Sequence, residues 1–524
     1  MDEKATGSFY TPDTLINYMV AYARDRIVPL NILEPSAGDG RFVPLLKEFN
    51  CPITLIELEK TKTDILHEIF DNECEIIGSD FLNYAIKHDK KYDLIIGNPP
   101  YISKKSVPSD QRNASLDLIK HFELEETLFQ NIWVSFILGS LKLLSDNGAI
   151  FFILPFEFLQ VQYAEKLREF LEKNFNTIEI TTFEDRIFTT IEQDICLVYL
   201  SNEPKGKPYI QYTTFVSDTD KTQTFQSVIM RNKPLKKWSN CILNDNETEK
   251  LKQISDTFPK VQSFGEISPG IVTGANSFFI VSKKKISSFK MKPMPKLSII
   301  SKCSVIPSLL DFKSEDFSAI VNTGARSYLI NLNDIKEETF STYLNEYIAG
   351  GLEKDKPLNE RYKCRIRKRW YDVPIIKTGE ACFFKRFHRF PRVIINSAGV
   401  YTTDIAYNIR FKPDYEAASF VFCFYNSLTL ALCEYSCRFY GGGVGELVPN
   451  EFKALSVPYS EISQENIQHL DELLRNETEL AEIVDYVDSI VLEELLKDDI
   501  EFLQEIRTRY IKRRMKLYDR TDNS

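Results

Sequence analysis

At about 150 residues per domain, a chain of 524 residues has room for three or four folding units. Apolar types make up 43% of it and charged types 27%, a balance that excludes collagen-like, disordered and disulfide-knot classes. The net charge of −10 conceals an acidic front (residues 1–203, 19 Lys and Arg against 33 Asp and Glu), a basic middle (204–460, 37 against 25) and an acidic tail (461–524, 9 against 17). Sign asymmetry on this scale marks the middle segment as the one that faces a polyanion.

Taken in chain order, the N-terminus shows no apolar signal core, and no run of about 18 apolar residues follows, so a cytoplasmic protein without membrane contact is expected. Strand-like runs at 31–33, 52–57, 75–77 and 92–97 alternate with helix-length periodic stretches at 61–70 and 127–144, the latter stopped by Asp146-Asn147-Gly148. A buried run at 149–155, an amphipathic stretch at 161–174 and strands at 177–182 and 194–200 complete the pattern. Strands alternating with helices predict an α/β fold, a Rossmann-like doubly wound parallel sheet, over residues 1–208, with 201–208 as the exit. Short strands rich in Gly, Pro and aromatics predict an α+β domain over 209–460, and apolar periodicity predicts a helical segment over 461–524. The ten cysteines contain no CxxC pair, so neither a disulfide nor a metal site is expected.

Chemistry concentrates at the predicted strand ends. In Glu34-Pro35-Ser36-Ala37-Gly38-Asp39-Gly40, two residues without a Cβ let the backbone approach a ligand closely. Glu57 closes the second strand, where doubly wound nucleotide binders place a carboxylate on the ribose hydroxyls. Asp80 follows the third strand and can accept a hydrogen bond from an adenine amino group, with Phe81 flanking the ring. Three such sites in register predict a nucleoside cofactor. Asn98-Pro99-Pro100-Tyr101 then closes the fourth strand. The Asn98 amide oxygen and the Pro99 carbonyl are two acceptors that can converge on one NH₂ group, Pro100 offers no N–H to compete, and Tyr101 supplies a stacking face.

These motifs resemble those of S-adenosylmethionine-dependent amino-methyltransferases of DNA with the gamma motif order, which methylate adenine N6 in bacterial restriction–modification systems. Gly7-Ser8-Phe9-Tyr10-Thr11-Pro12 is similar to the family's N-terminal cofactor motif, with Thr11 near the methionine end. Glu34, Ser36, Ala37, Gly38 and Gly40 fall in its glycine-rich motif, Glu57 at its ribose carboxylate, Asp80 and Phe81 at its adenine contacts, and Asn98 to Tyr101 in its catalytic motif. Phe188, within Ile187-Phe188-Thr189-Thr190, is similar to the aromatic that stacks on the far face of the target base. The resemblance implies that adenine in double-stranded DNA is flipped into the pocket and methylated on N6 without a general base in the attack step. It also implies that the basic middle is a target-recognition domain. Ile271-Val272-Thr273-Gly274-Ala275-Asn276 and Arg392 to Asn396 resemble segments common there, and Arg365, Arg367, Arg369, Lys385, Arg386 and Arg389 are candidates for DNA contact. A monomer is expected, with any cognate restriction endonuclease encoded separately. A protein-glutamine methyltransferase, an RNA adenine methyltransferase and a catalytically silent DNA-binding protein are the alternatives.

Overall fold

Runs such as Leu94-Ile95-Ile96 present apolar side chains to both faces, as strands do when helices cover both sides of a sheet. Nine strands join one sheet in the computed structural model, which describes residues 11–183, 195–202, 209–217, 224–231, 235–288, 296–333, 335–336, 338, 340, 342–352, 357–440 and 443–515. They are β1 (Ile32–Glu34), β2 (Ile53–Glu57), β3 (Glu75–Gly78), β4 (Tyr92–Gly97), β5 (Leu144–Pro155), β6 (Thr177–Phe183), β7 (Ile195–Ser201), β8 (Tyr209–Ser217) and β9 (Thr224–Arg231). Their spatial order is β3-β2-β1-β4-β5-β7-β6-β8-β9. β1 to β5 pair in parallel, as expected. β7 enters between β5 and β6 antiparallel to both, a departure that burial patterns cannot reveal because they carry no strand direction.

From β1 the chain turns to β2 and β3 on one side, then resumes with β4 on the other. Such a reversal opens a crevice at the carboxyl ends of the two central strands. Helix α1 (Asp13–Arg24) lays Leu15, Ile16, Met19, Val20 and Ala23 on one face against the sheet core. Helices α2 (Lys60–Phe70), α3 (Phe81–Lys87), α4 (Ser109–His121), α5 (Trp133–Leu143) and α6 (Glu165–Asn174) follow. A Cβ on Gly139 of α5 would lie 3.0 Å from Phe81 Cε1 and 3.2 Å from Ala85 Cβ, so this glycine sets the close approach of α3 and α5. The helix expected over 127–144 starts only at Trp133. Asp146-Asn147-Gly148, expected to stop it, lies inside β5, where the pairing with β4 shifts between Tyr92 and Leu94. A long strand absorbs the turn signal as a local irregularity.

Two further expectations change. The sheet continues past 208, since β8 pairs with β6 from Tyr209 opposite Thr177, and the continuous front part of the first compact unit runs to Glu249. The Pro-, Gly- and Lys-rich 201–208 thus connects strands of one sheet. The second unit comprises Lys250–Phe439 and Gly443–Arg514, so the segment expected to stand apart from 461 onward is grouped with it as far as Arg514. The unit is α+β as expected: one sheet orders Gly265–Pro269, Ala406–Phe411, Ala381–Phe384 and Arg392–Ile395, a second Ile280–Val281, Tyr328–Ile330, Lys296–Ile300 and Tyr401–Thr402, and a third pairs Arg386–Phe387 with Val444–Glu446. Two carboxylates of the tail accept buried backbone donors of this unit. Asp471 takes the backbone N–H of Leu310 at 2.7 Å and Asp488 that of Ser427 at 2.8 Å. Arg514 and Glu434 pair at 2.6 Å with both side chains 1% exposed. With the tail included, residues 250–514 hold 37 Lys and Arg against 35 Asp and Glu, so the basic excess of the middle is nearly cancelled within its own unit. Among the described residues no single helix is long and apolar enough to cross a membrane.

Candidate active site

The loops leaving β1, β2, β3 and β4 surround a pocket of about 410 Å³ in the first unit. Gly38 and Gly40 both lie in the left-handed region (φ +59° and +79°), and a Cβ on Gly40 would sit 2.6 Å from Phe70 Cε2, so the expected glycine turn is required by geometry. The turn aims the Gly38 N–H at Glu57 Oε2 (2.8 Å), while the Glu59 N–H reaches Oε1 (2.8 Å). Two backbone donors therefore fix the Glu57 carboxylate in the pocket wall.

Asp80 caps α3, its Oδ1 accepting the Asn83 N–H at 2.8 Å, and its Oδ2 accepts from Gln111 Nε2 at 2.6 Å. Phe81 is buried against Phe136, with ring centroids 4.9 Å apart, and both line the same pocket. Leu58, 61% exposed overall, also lines it. Sequence reasoning missed Leu58 and Gln111. Leu58 had a usable signal, an apolar residue directly after the strand-end carboxylate. Gln111 had none, since it stands in an ordinary amphipathic helix.

Glu34 is 2% exposed, and among the described residues its Oε2 has no hydrogen-bond partner. Burial first, then the neighbouring Glu57 and Asp39 carboxylates, pushes its carboxyl well above the usual range. A buried, unpartnered carboxyl in a pocket wall is suited to a cationic ligand group.

Asn98 bridges the loops. Its Nδ2 donates to Thr11 Oγ1 at 3.2 Å, the Tyr101 hydroxyl lies 3.0 Å from its Oδ1, and its backbone carbonyl accepts from Ser36 Oγ at 3.0 Å. These contacts fix which way the side-chain amide faces. The Tyr101 hydroxyl also lies 3.1 Å from the Ile153 carbonyl, and burial pushes the phenol well above its ordinary range, so it remains a protonated donor. Asn98 and Pro100 line the pocket together with Thr11, Ser36, Ala37 and Gly38. Pro99 lies between Asn98 and Pro100 in the same loop and is buried. Phe188, Ile187, Thr189 and Thr190, and Gly7 to Tyr10, lie outside the described residues.

In the second unit the six basic candidates separate. Arg367 directs its guanidinium inward, to the carbonyls of Val272 (3.0 Å), Thr273 (2.8 Å) and Trp370 (3.4 Å). Arg369 forks onto Asp372 and reaches the Ile335 carbonyl at 2.7 Å. Arg386 pairs with Glu446 at 3.3 Å, and Lys385 lies 3.9 Å from Asp404. Arg365 and Arg389 are exposed. Of Arg365, Arg367 and Arg369, all candidates for DNA contact, the last two thus bond to carbonyls and a carboxylate of the unit itself, while Arg365 is exposed.

Residues 41–188 match the family described as the Eco57I restriction-modification methylase, and residues 235–492 match the C-terminal domain of the Type II methyltransferase M.Eco57I. The chain is 24% identical over 404 residues to the Type II methyltransferase M.AccI of Acinetobacter calcoaceticus, covering 71% of this chain and 69% of that one. It is 30% identical over 203 residues to M.HincII of Haemophilus influenzae, spanning 38% of each. The solved structure of the Type IIL restriction-modification enzyme MmeI in complex with DNA has the same fold, with a TM-score of 0.57 at 12% identity over 98% of this chain and 75% of that one. The chain belongs to the DNA methyltransferases of restriction–modification systems.

Proposed function

We propose that the chain transfers a methyl group from S-adenosylmethionine to the N6 amino group of adenine at a specific site in double-stranded DNA. The observation that carries this reading is the Asn98 amide, held between Thr11 and Tyr101 in the wall of a strand-end pocket. An acceptor fixed in direction can take one hydrogen of a planar NH₂ group, and the Pro99 carbonyl is the second acceptor. The amine is thereby oriented for attack, and positioning rather than proton removal lowers the barrier.

The residues present fit the cofactor. The Glu57 carboxylate, anchored from behind by two N–H groups, would take the ribose hydroxyls; Asp80, with Leu58 and Phe81 at its sides, would take the adenine. Gln111, donating to Asp80 Oδ2, holds that carboxylate in place. Glu34 would meet the cationic methionine end, which answers its unpartnered oxygen. When bound, the cofactor supplies a methyl group on a sulfonium, already a good electrophile.

Duplex DNA as the partner is supported by the related enzyme whose structure was solved with DNA. A separately encoded cognate endonuclease, a monomeric state and stacking by Phe188 belong to the same proposal. Methylation-sensitive long-read sequencing of DNA from a host expressing the protein tests it. Modified adenine at one recurrent sequence is the expected result, and unmodified DNA beside an active, cofactor-binding protein contradicts it.

A further inference from the structure

The segment 271–276 and the run that carries Arg365, Arg367 and Arg369, singled out in the sequence for different reasons, meet in the second unit. Arg367 ties them through the Val272 and Thr273 carbonyls. Gly274, at φ +77°, lies so close to the short helix Tyr362–Arg365 that a Cβ there would be 2.9 Å from Lys363 Cβ. Cys364 is fully buried, and Arg369 fixes the following turn through Asp372. The segment is therefore anchored from within.

What this anchored segment turns outward is unusual. Tyr362 is 64% exposed and Ile366 60%, one helical turn apart, with the Ile366 N–H on the Tyr362 carbonyl at 3.3 Å. Lys363, Arg365 and Lys368 are exposed between and beside them. Ile366, Lys363 and Lys368 share with Val272 the rim of a hollow of about 500 Å³. Large apolar side chains left in water on a rigid support, ringed by cations, fit a polyanion that also offers apolar surface.

We infer that Tyr362 and Ile366 form an apolar projection that seats against base and sugar edges of duplex DNA, while Lys363, Arg365 and Lys368 meet the flanking phosphates. The inference rests on the proposed DNA substrate. It adds a contact that salt does not screen to one that salt does. The inward arginines have a part in it, because a projection already ordered loses little freedom on binding.

The full chain, titrated with a duplex carrying its methylation site and with a scrambled duplex over a salt series, tests it. Tyr362→Ala combined with Ile366→Ser is expected to weaken binding at least tenfold at every salt concentration, leaving the log–log salt slope, the melting temperature and S-adenosylmethionine affinity unchanged. Arg365→Ala combined with Lys368→Ala is expected to make the slope shallower by about 0.9 for each phosphate that is no longer neutralised. The milder pair Tyr362→Phe and Ile366→Leu should retain binding, and weaker binding there overturns the apolar assignment. So does an apolar double variant that binds both duplexes like wild type, which would leave an acidic protein as the occupant. A wild-type chain that binds no duplex contradicts the DNA reading itself, whereas wild-type-like behaviour of the variants on DNA that is bound and methylated removes only the projection.

Discussion

In the first unit, residues that stand together in short motifs also act together in space, because each motif lies at a strand end and the strand order converges those ends on one pocket. In the second unit, residues that stand together in sequence part company: of Arg365, Arg367 and Arg369, only the first points outward, and a segment that reads as basic is neutralised by acidic helices from its own tail. Parallel-sheet topology fixes where a strand end goes. A run of arginines carries no such constraint, and carbonyls of the protein compete for its donors.

The sharpest way to break the contrast is to remove a charge that the second unit has already used. Glu434→Ala removes the carboxylate that neutralises the buried Arg514 guanidinium, and should lower stability by about 3–5 kcal/mol in denaturant unfolding. A change under about 1 kcal/mol would restore the tail as an independent segment. In the first unit, Asn98→Ala should cut turnover at least a hundredfold, about 2.7 kcal/mol of barrier, with cofactor affinity near wild type by calorimetry. A variant retaining a tenth of wild-type turnover would show that the amide is not the acceptor. Asp80→Ala should weaken S-adenosylmethionine binding by about 1.5–3 kcal/mol, and Gln111→Leu by less, since Gln111 acts through Asp80. Equal effects would place Gln111 on the cofactor directly.

Arg367→Ala and Arg365→Ala sharpen the comparison within one cluster. The first removes bonds to the carbonyls of Val272, Thr273 and Trp370 and should lower stability by about 1–3 kcal/mol. The second should leave stability unchanged and reduce the salt slope of DNA binding by about 0.9. The smallest effect concerns Glu34. Its folded carboxyl titrates above its unfolded value, so the acid form favours folding below the unfolded pKa, and that contribution is lost as pH rises through the folded value. Glu34→Gln, permanently neutral, should then melt higher than wild type at pH 8 and equally at about pH 4, near the ordinary carboxyl range. Its cofactor affinity should be weaker and flatter with pH, because a cation favours the carboxylate.

The reading of the sequence was strongest where one residue type answers one geometric need. Gly38 and Gly40 occupy left-handed backbone, Glu57 meets two N–H groups, and Asn98 stands where β4 ends. It was weakest where meaning depends on a distant partner. Nothing near Gln111 points to Asp80, 31 positions away, and nothing in 201–208 shows that the chain beyond it returns to the sheet beside β6. Nothing in the acidic tail marks Asp471 and Asp488 as acceptors of buried backbone N–H groups, because such a carboxylate has the same local pattern as one facing water.

Transfer to adenine N6 is read directly by incubating the full chain with duplex DNA and methyl-labelled S-adenosylmethionine, digesting the DNA to nucleosides and identifying the labelled one by mass spectrometry. Label is expected on N6-methyladenosine of the deoxy series and is abolished by Asn98→Ala. Label on cytosine or on a protein glutamine, or adenine methylation that survives removal of the Asn98 amide, would contradict it.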